Sequence, residues 1–245
     1  MTATGQRASA EVVLATRAGT GRGRITDVPG EQPSAKPFVP AGADLDDLRE
    51  AAASCRGCHL YEGTTQTVFS SGSPTARVVL VGEQPGDQED RQGAPFVGPA
   101  GRMLDRALEE AGIERGDAYV TNAVKHFKFT RSGPGKRRIH QTPTAVELAA
   151  CKPWLVAELR IIDPEVVVCL GATAGKALFG PGFRVTKQRG VLLPRPPLDD
   201  QEAARQNAFV VATIHPSAVL RADDPDAMYA GLVSDLRVAA AALAA

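Results

Sequence analysis

The chain lacks a net charge: across 245 residues, 28 lysines and arginines meet 28 aspartates and glutamates. Composition therefore gives it no general affinity for nucleic acid, membrane surfaces or acidic ligands, and any such partner must be met by a local patch. It also lacks an apolar run long enough to span a bilayer, and its first residues lack the apolar core of a secretory signal. The expectation is a cytoplasmic protein that makes no use of a membrane. No internal repeat is visible. Cysteine is scarce, four in all. In a reducing compartment these would not pair as disulfides, so their spacing carries information.

What is present reads as one domain behind a tail. Residues 1–36 are rich in Gly, Ala, Thr, Arg and Pro, with a single short apolar cluster at Val12 to Leu14. That is too little for a core, so a disordered tail is expected there and a folded domain over 37–245. Four β-branched apolar runs read as buried strands: Val78 to Val81, Tyr119 to Val124, Val166 to Leu170 and Phe209 to Ile214. Between them lie helical spacings: Leu45 to Cys55 with Asp44 as N-cap, Gly98 to Ala111, Glu147 to Ile162, a short helix to Phe179, and Ala227 to Ala244. Alternating strands and helices imply an α/β fold with a largely parallel sheet and helices on both faces. Residues 194–207 read as an exposed loop.

The strand ends concentrate the chemistry. Gly82 is followed by Glu83 and Gln84, and Pro85-Gly86 then turns the chain before the acids Asp87, Glu89 and Asp90. Glu83, Asn122 and His215 each fall at or just after a predicted strand, where open α/β sheets put their sites. A carboxylate, an amide and an imidazole suit three tasks: offsetting positive charge, reading donor and acceptor edges, and hydrogen-bonding a developing anion. Acids are absent between Asp117 and Glu147, while Lys125, Lys128, Arg131, Lys136, Arg137 and Arg138 are basic and Phe127 and Phe129 are interleaved among them. On a Gly-Pro-Gly loop, that pattern suits a nucleic-acid backbone and unstacked bases.

The cysteines are Cys55 and Cys58, with two residues between them, then Cys151 and Cys169. Four thiolates can hold a [4Fe-4S] cluster or a tetrahedral zinc, and spacing does not choose between them. Cys169, within VVVCL, also reads as a small core residue.

Taken together, these motifs resemble the uracil-DNA glycosylase superfamily, its iron-sulfur branch and within that the UdgX group. The resemblance covers about Phe38 to Ala240 and rests on GEQPG from Gly82, PFVGPAGRML from Pro95, VTNAVKHFKF from Val120, KRRIH from Lys136 and HPS from His215. It implies a three-layer α/β/α sandwich and a [4Fe-4S] cluster held by Cys55, Cys58, Cys151 and Cys169. The implied partner is uracil-containing DNA, preferably single-stranded because less pairing and stacking must be broken, met by a monomer. The implied chemistry is N-glycosidic cleavage followed by covalent attachment of His140 to the sugar. By the same resemblance, Glu83 offsets the oxocarbenium charge and accepts a ring N–H of His140, and His215 donates to uracil O2. Asn122 reads the O4 and N3–H edge, Phe96 stacks on the base, Gln84 and Arg138 position the loop and a phosphate or the sugar, and Gly86 is implied to be substrate-binding. An ordinary multiple-turnover glycosylase and a non-catalytic single-strand-binding module are the competing readings.

Overall fold

The computed structural model describes residues 1, 32–133, 136–200, 202 and 207–244. The expected tail lies outside the described residues between 2 and 31. The compact unit begins at Gln32, and the N–H of the buried Ala35 donates to the Ala150 carbonyl at 2.7 Å, so residues 32–36 belong to the folded part.

In chain order the elements are α1 (Leu45–Ala52), β1 (Ser70–Ser71), β2 (Val78–Gly82), α2 (Asp87–Gln92), α3 (Pro99–Ala111), β3 (Ala118–Asn122), β4 (Phe129–Arg131) and β5 (Arg138–His140). There follow α4 (Ala145–Ile162), β6 (Val166–Leu170), α5 (Ala172–Phe179), α6 (Val185–Gln188), β7 (Leu192–Pro194), β8 (Phe209–Thr213), α7 (Pro216–Val219) and α8 (Pro225–Leu243). Helix α1 starts as expected, because Asp44 accepts from the N–H groups of Asp46 and Asp47 in a capping box. It ends at Ala52, so Cys55 stands beyond it rather than inside it.

The main sheet has the order β1-β3-β2-β6-β8-β7; the four central strands are parallel and the two edges antiparallel. Side chains of the central strands alternate between two cores. Val79, Val81, Val167 and Cys169 face α1, α4 and α5, while Val78, Leu80, Val166 and Val168 face α3 and α8. Both faces are covered, which is why the strands read as unbroken apolar runs. Among the described residues no helix is long and apolar enough to cross a membrane.

Chain order reverses at β2: β3 lies on one side of it and β6 on the other. Such a switch point opens a crevice at the carboxyl ends of the strands. Over that crevice stands a separate hairpin, β4 paired antiparallel with β5, in which Phe129 faces His140.

Residues 194–207 do not form a merely exposed loop. Leu198 is buried, and the buried Arg195 pairs with Glu202 at 2.6 Å. Residues 201 and 203–206 of that segment lie outside the description, as do Pro134 and Gly135 of the Gly-Pro-Gly loop.

Candidate active site

The ends of β2, β3 and β8 meet as the sequence predicts. Gly82 and Asn122 are register partners, so Glu83 leaves the sheet beside Asn122, and His215 follows β8. A Cβ at position 82 would lie 2.3 Å from Asn122 Oδ1 and 2.7 Å from Phe96 Cζ. Only glycine lets both close over the strand end. Phe96 has a φ of 55°, unusual for a residue with a bulky side chain, and its carbonyl would sit 1.5 Å from a Cβ at Gly101. The tight approach of α3 thus holds a strained Phe96 in place, 5.9 Å from the His215 ring. Glu83, Gln84, Phe96, Asn122, His140 and His215 line one cavity of about 510 Å3, into which Gly86 and Arg221 also reach.

Each polar group has a defined state. Asn122 is buried, and its Oδ1 has no hydrogen-bond partner among the described residues, an acceptor that burial makes costly to leave unmatched. The His215 Nδ1 accepts from the Ser217 N–H at 3.2 Å, which puts the ring proton on Nε2 as a donor. Burial pushes the His215 imidazole down to about 4, helped by the Arg221 charge and by the nearby titratable His140, so it stays neutral at ordinary pH. The Glu83 carboxylate accepts the Thr173 hydroxyl, and its backbone carbonyl accepts the Val124 N–H at 3.0 Å.

His140 comes from outside the sheet, on β5, with its side chain half exposed and Nε2 3.5 Å from Glu83 Oε1. That exceeds the roughly 2.7–3.2 Å of an N–H···O bond. The expected hydrogen bond from His140 to Glu83 is therefore not closed at this distance, though the two groups face each other. Burial lowers the His140 imidazole below its usual 6.5; Glu83 opposes that and Arg221 reinforces it. Chemistry that needs a neutral His140 should thus run unchanged at pH 7 and fall as pH drops through a midpoint below 6.5. Yield of a His140-dependent product measured against pH checks this; a midpoint above 6.5 would contradict the assigned environment.

Three of the expected binding residues are engaged within the chain, and for Gln84 that engagement is with the loop it was expected to position. Gln84 spends its amide on the hairpin: Oε1 accepts from the Lys128 N–H at 3.0 Å, and Nε2 donates to the Lys128 and Gln141 carbonyls, each at 3.1 Å. Gly86 acts as the N-cap of α2, its N–H donating to Glu89 Oε2 at 3.0 Å. Arg138 is not free for a phosphate. Its guanidinium is buried over Phe127 and Phe129, donates to Asp87, and pairs with the fully buried Asp90 at 2.5 Å. Lys125 and Lys128 are likewise taken, by Glu158 at 2.5 Å and Glu147 at 2.8 Å. Of the six cations in that stretch, Arg131, Lys136 and Arg137 stay exposed. Sequence reading missed Arg221, six residues past His215, and Thr173, in the first turn of α5; neither stands in a pattern that marks it.

The cysteines divide three to one. Cys55, Cys58 and Cys151 lie close enough that charge on one raises another. Two N–H groups point at their sulfurs, Trp154 Nε1 at Cys55 and the Lys125 backbone at Cys151, both at 3.3 Å. Cys169 instead sits inside β6, its thiol pushed up to about 12 by burial alone. That placement fits the core reading of VVVCL. His126 is buried, follows the residue that donates to Cys151, and lines a cavity with Cys55, its Nε2 2.9 Å from Thr67 Oγ1. Cys55, Cys58 and Cys151 are the candidate thiol donors for a cluster, and His126, which shares a cavity with Cys55, is a candidate fourth.

Residues 69–237 match the family described as the uracil DNA glycosylase superfamily. A Type-4 uracil-DNA glycosylase of Thermotoga maritima is 40% identical over 179 residues, 72% of this chain and 83% of that protein. Its counterpart in Archaeoglobus fulgidus is 35% identical over 180 residues, with the same coverage of each chain. The chain belongs to the uracil-DNA glycosylase superfamily. A Type-5 uracil-DNA glycosylase of Pyrobaculum aerophilum matches at 34% identity over only 44% of the chain. The crevice at the β2 switch point is thus the candidate active site, with the β4–β5 hairpin set in front of it.

Proposed function

We propose that this glycosylase removes uracil from DNA, preferentially single-stranded, and then captures the resulting deoxyribose covalently through His140. The observation that carries the reading is a neutral imidazole whose Nε2 faces the cavity 3.5 Å from the Glu83 carboxylate. An extruded uracil would lie against Phe96. The unmatched Asn122 Oδ1 suits its N3–H, and the His215 Nε2–H suits O2, where negative charge gathers as the bond breaks. Reading N3–H by an acceptor favours uracil over cytosine, which carries no proton there.

As the C1′–N1 bond breaks, its electron pair leaves with uracil and positive charge grows on the sugar beside Glu83. The lone pair of His140 Nε2 then forms a bond to C1′. The proton on His140 Nδ1 passes to solvent, and solvent supplies the proton that neutralises uracil, so no water is consumed. Exposed Arg131, Lys136, Arg137 and Arg221 are the phosphate contacts, since their charges are not spent on internal carboxylates. A [4Fe-4S] cluster on Cys55, Cys58, Cys151 and His126 would serve as a structural pin joining the turn after α1 to α4 and the segment after β3; it enters no step of the reaction.

The test is to mix the protein with a uracil-containing single-stranded oligonucleotide and separate the boiled mixture on a denaturing gel. A slow protein–DNA band that requires uracil is the expected result. Alkali-cleavable abasic DNA without that band would mark a conventional multiple-turnover glycosylase, and neither product would refute the catalytic reading.

A further inference from the structure

The hairpin that carries His140 has strands of only three residues each, too short to hold their own geometry. Arg138 anchors β5 through Asp87 and Asp90, and the second anchor is Lys128, the residue before β4. The Lys128 backbone exchanges two hydrogen bonds with the Gln84 amide, and its carbonyl also accepts the Gln141 N–H at 3.0 Å. This joins the end of β2 to both feet of the hairpin. The Lys128 side chain runs the other way, its Nζ donating to Glu147 Oε2 at 2.8 Å.

Glu147 is a buried carboxylate, its side chain 4% exposed, in the first turn of α4. Its Oε2 also accepts the Thr144 N–H at 2.6 Å, and its Oε1 lies 3.3 Å from Nε2 of His59, the residue after Cys58. One carboxylate thus touches the hairpin foot, the start of α4 and the cysteine-bearing turn. Helix capping alone requires neither Lys128 nor His59, and a glutamine oxygen would satisfy it.

We infer that Glu147 is a positioning residue for covalent capture: it locks Lys128, and with it the hairpin, so that His140 stays beside Glu83. The inference rests on the capture reading above. Glu83, Asn122 and His215 stand at sheet-strand ends and do not depend on the hairpin, whereas His140 reaches the cavity only through it. Loosening Lys128 therefore weakens capture and spares bond cleavage. A displacement of about 1 Å in a reacting group can cost as much as 10²-fold in rate.

The experiment compares wild type, Glu147→Gln, Lys128→Met and Lys128→Arg under single-turnover conditions, recording total uracil release and the adduct separately. Glu147→Gln keeps the capping acceptor and loses the charge. The expected result is an adduct rate about tenfold or more below wild type with uracil release within about twofold, free abasic DNA making up the difference. Lys128→Met should behave alike and Lys128→Arg should retain capture. Lys128→Met reaches the contact from its more exposed end, so it decides the matter if Glu147→Gln does not fold. An unchanged adduct fraction in both variants, or adduct and release falling in proportion, overturns the inference. A wild-type protein that forms no adduct overturns the capture reading itself, and this inference with it.

Discussion

Replacing His140 with serine is expected to convert the product from a protein–DNA adduct into free abasic DNA. The side chain is half exposed and accepts no buried partner, so its removal leaves the fold intact. Glu83, Asn122 and His215 remain as they are, and uracil release should stay within about tenfold of wild type, less than roughly 1.4 kcal/mol of barrier. The adduct, however, needs a nitrogen lone pair tethered at the sugar carbon. Effective molarities of well-oriented groups reach about 10⁵ M or more, far above any concentration water can present. Without the imidazole, water wins by default, and the gel band should fall at least about 100-fold. Counting alkali-labile sites against shifted band in one time course checks both halves. A band that survives His140→Ser would place the attachment elsewhere, and uracil release lost with it would make His140 part of cleavage.

Much of the fold was legible because its central strands are buried on both faces. Val78 to Val81 and Val166 to Leu170 carry the β-branched, unbroken apolar character that such burial demands. Glu83, Asn122 and His215 were legible for a related reason: parallel strands point the same way, so their carboxyl ends share an edge. Helix α2 was not. Its sequence, DQEDRQ, has no apolar face, and it is held by the Glu89 contact to Gly86 and by Asp90, which accepts the Thr65 N–H at 3.0 Å as well as Arg138.

Charge was read least well. A run of cations without local acids looks like a solvated, phosphate-binding loop, yet Glu158, Glu147, Asp87 and Asp90 arrive from distant parts of the chain to neutralise half of it. Long-range ion pairs leave no periodicity to find. What they do here is mechanical: buried, paired charges such as Arg138–Asp90 are worth about 3–5 kcal/mol to break, because the remaining partner is stranded. The loop that seemed built to grip DNA is in large part built to stay still. The cysteines show the same limit, since the placement of Cys169 inside β6, apart from the other three, emerges only once the strand is set in space.

Glu83→Gln should affect both products together, which separates it from His140→Ser. The amide keeps the shape of the side chain and an oxygen to accept the Thr173 hydroxyl, so the pocket retains its geometry. What disappears is the negative charge facing the sugar as it acquires oxocarbenium character. Preorganised electrostatic groups of this kind are worth about 10²–10³ in rate, roughly 2.7–4 kcal/mol, when one is removed. Uracil release under single-turnover conditions should therefore slow by about that factor. The adduct should fall in parallel, because capture needs the cation that cleavage produces. A neutral His140 cannot compensate, since its lone pair acts after charge has developed. Their ratio should stay near its wild-type value, whereas His140→Ser drives it to zero. If Glu83→Gln instead released uracil at the wild-type rate and lost only the adduct, the carboxylate would be a partner of His140 rather than the group that stabilises the cation, and cleavage would have to rest on Asn122 and His215 alone.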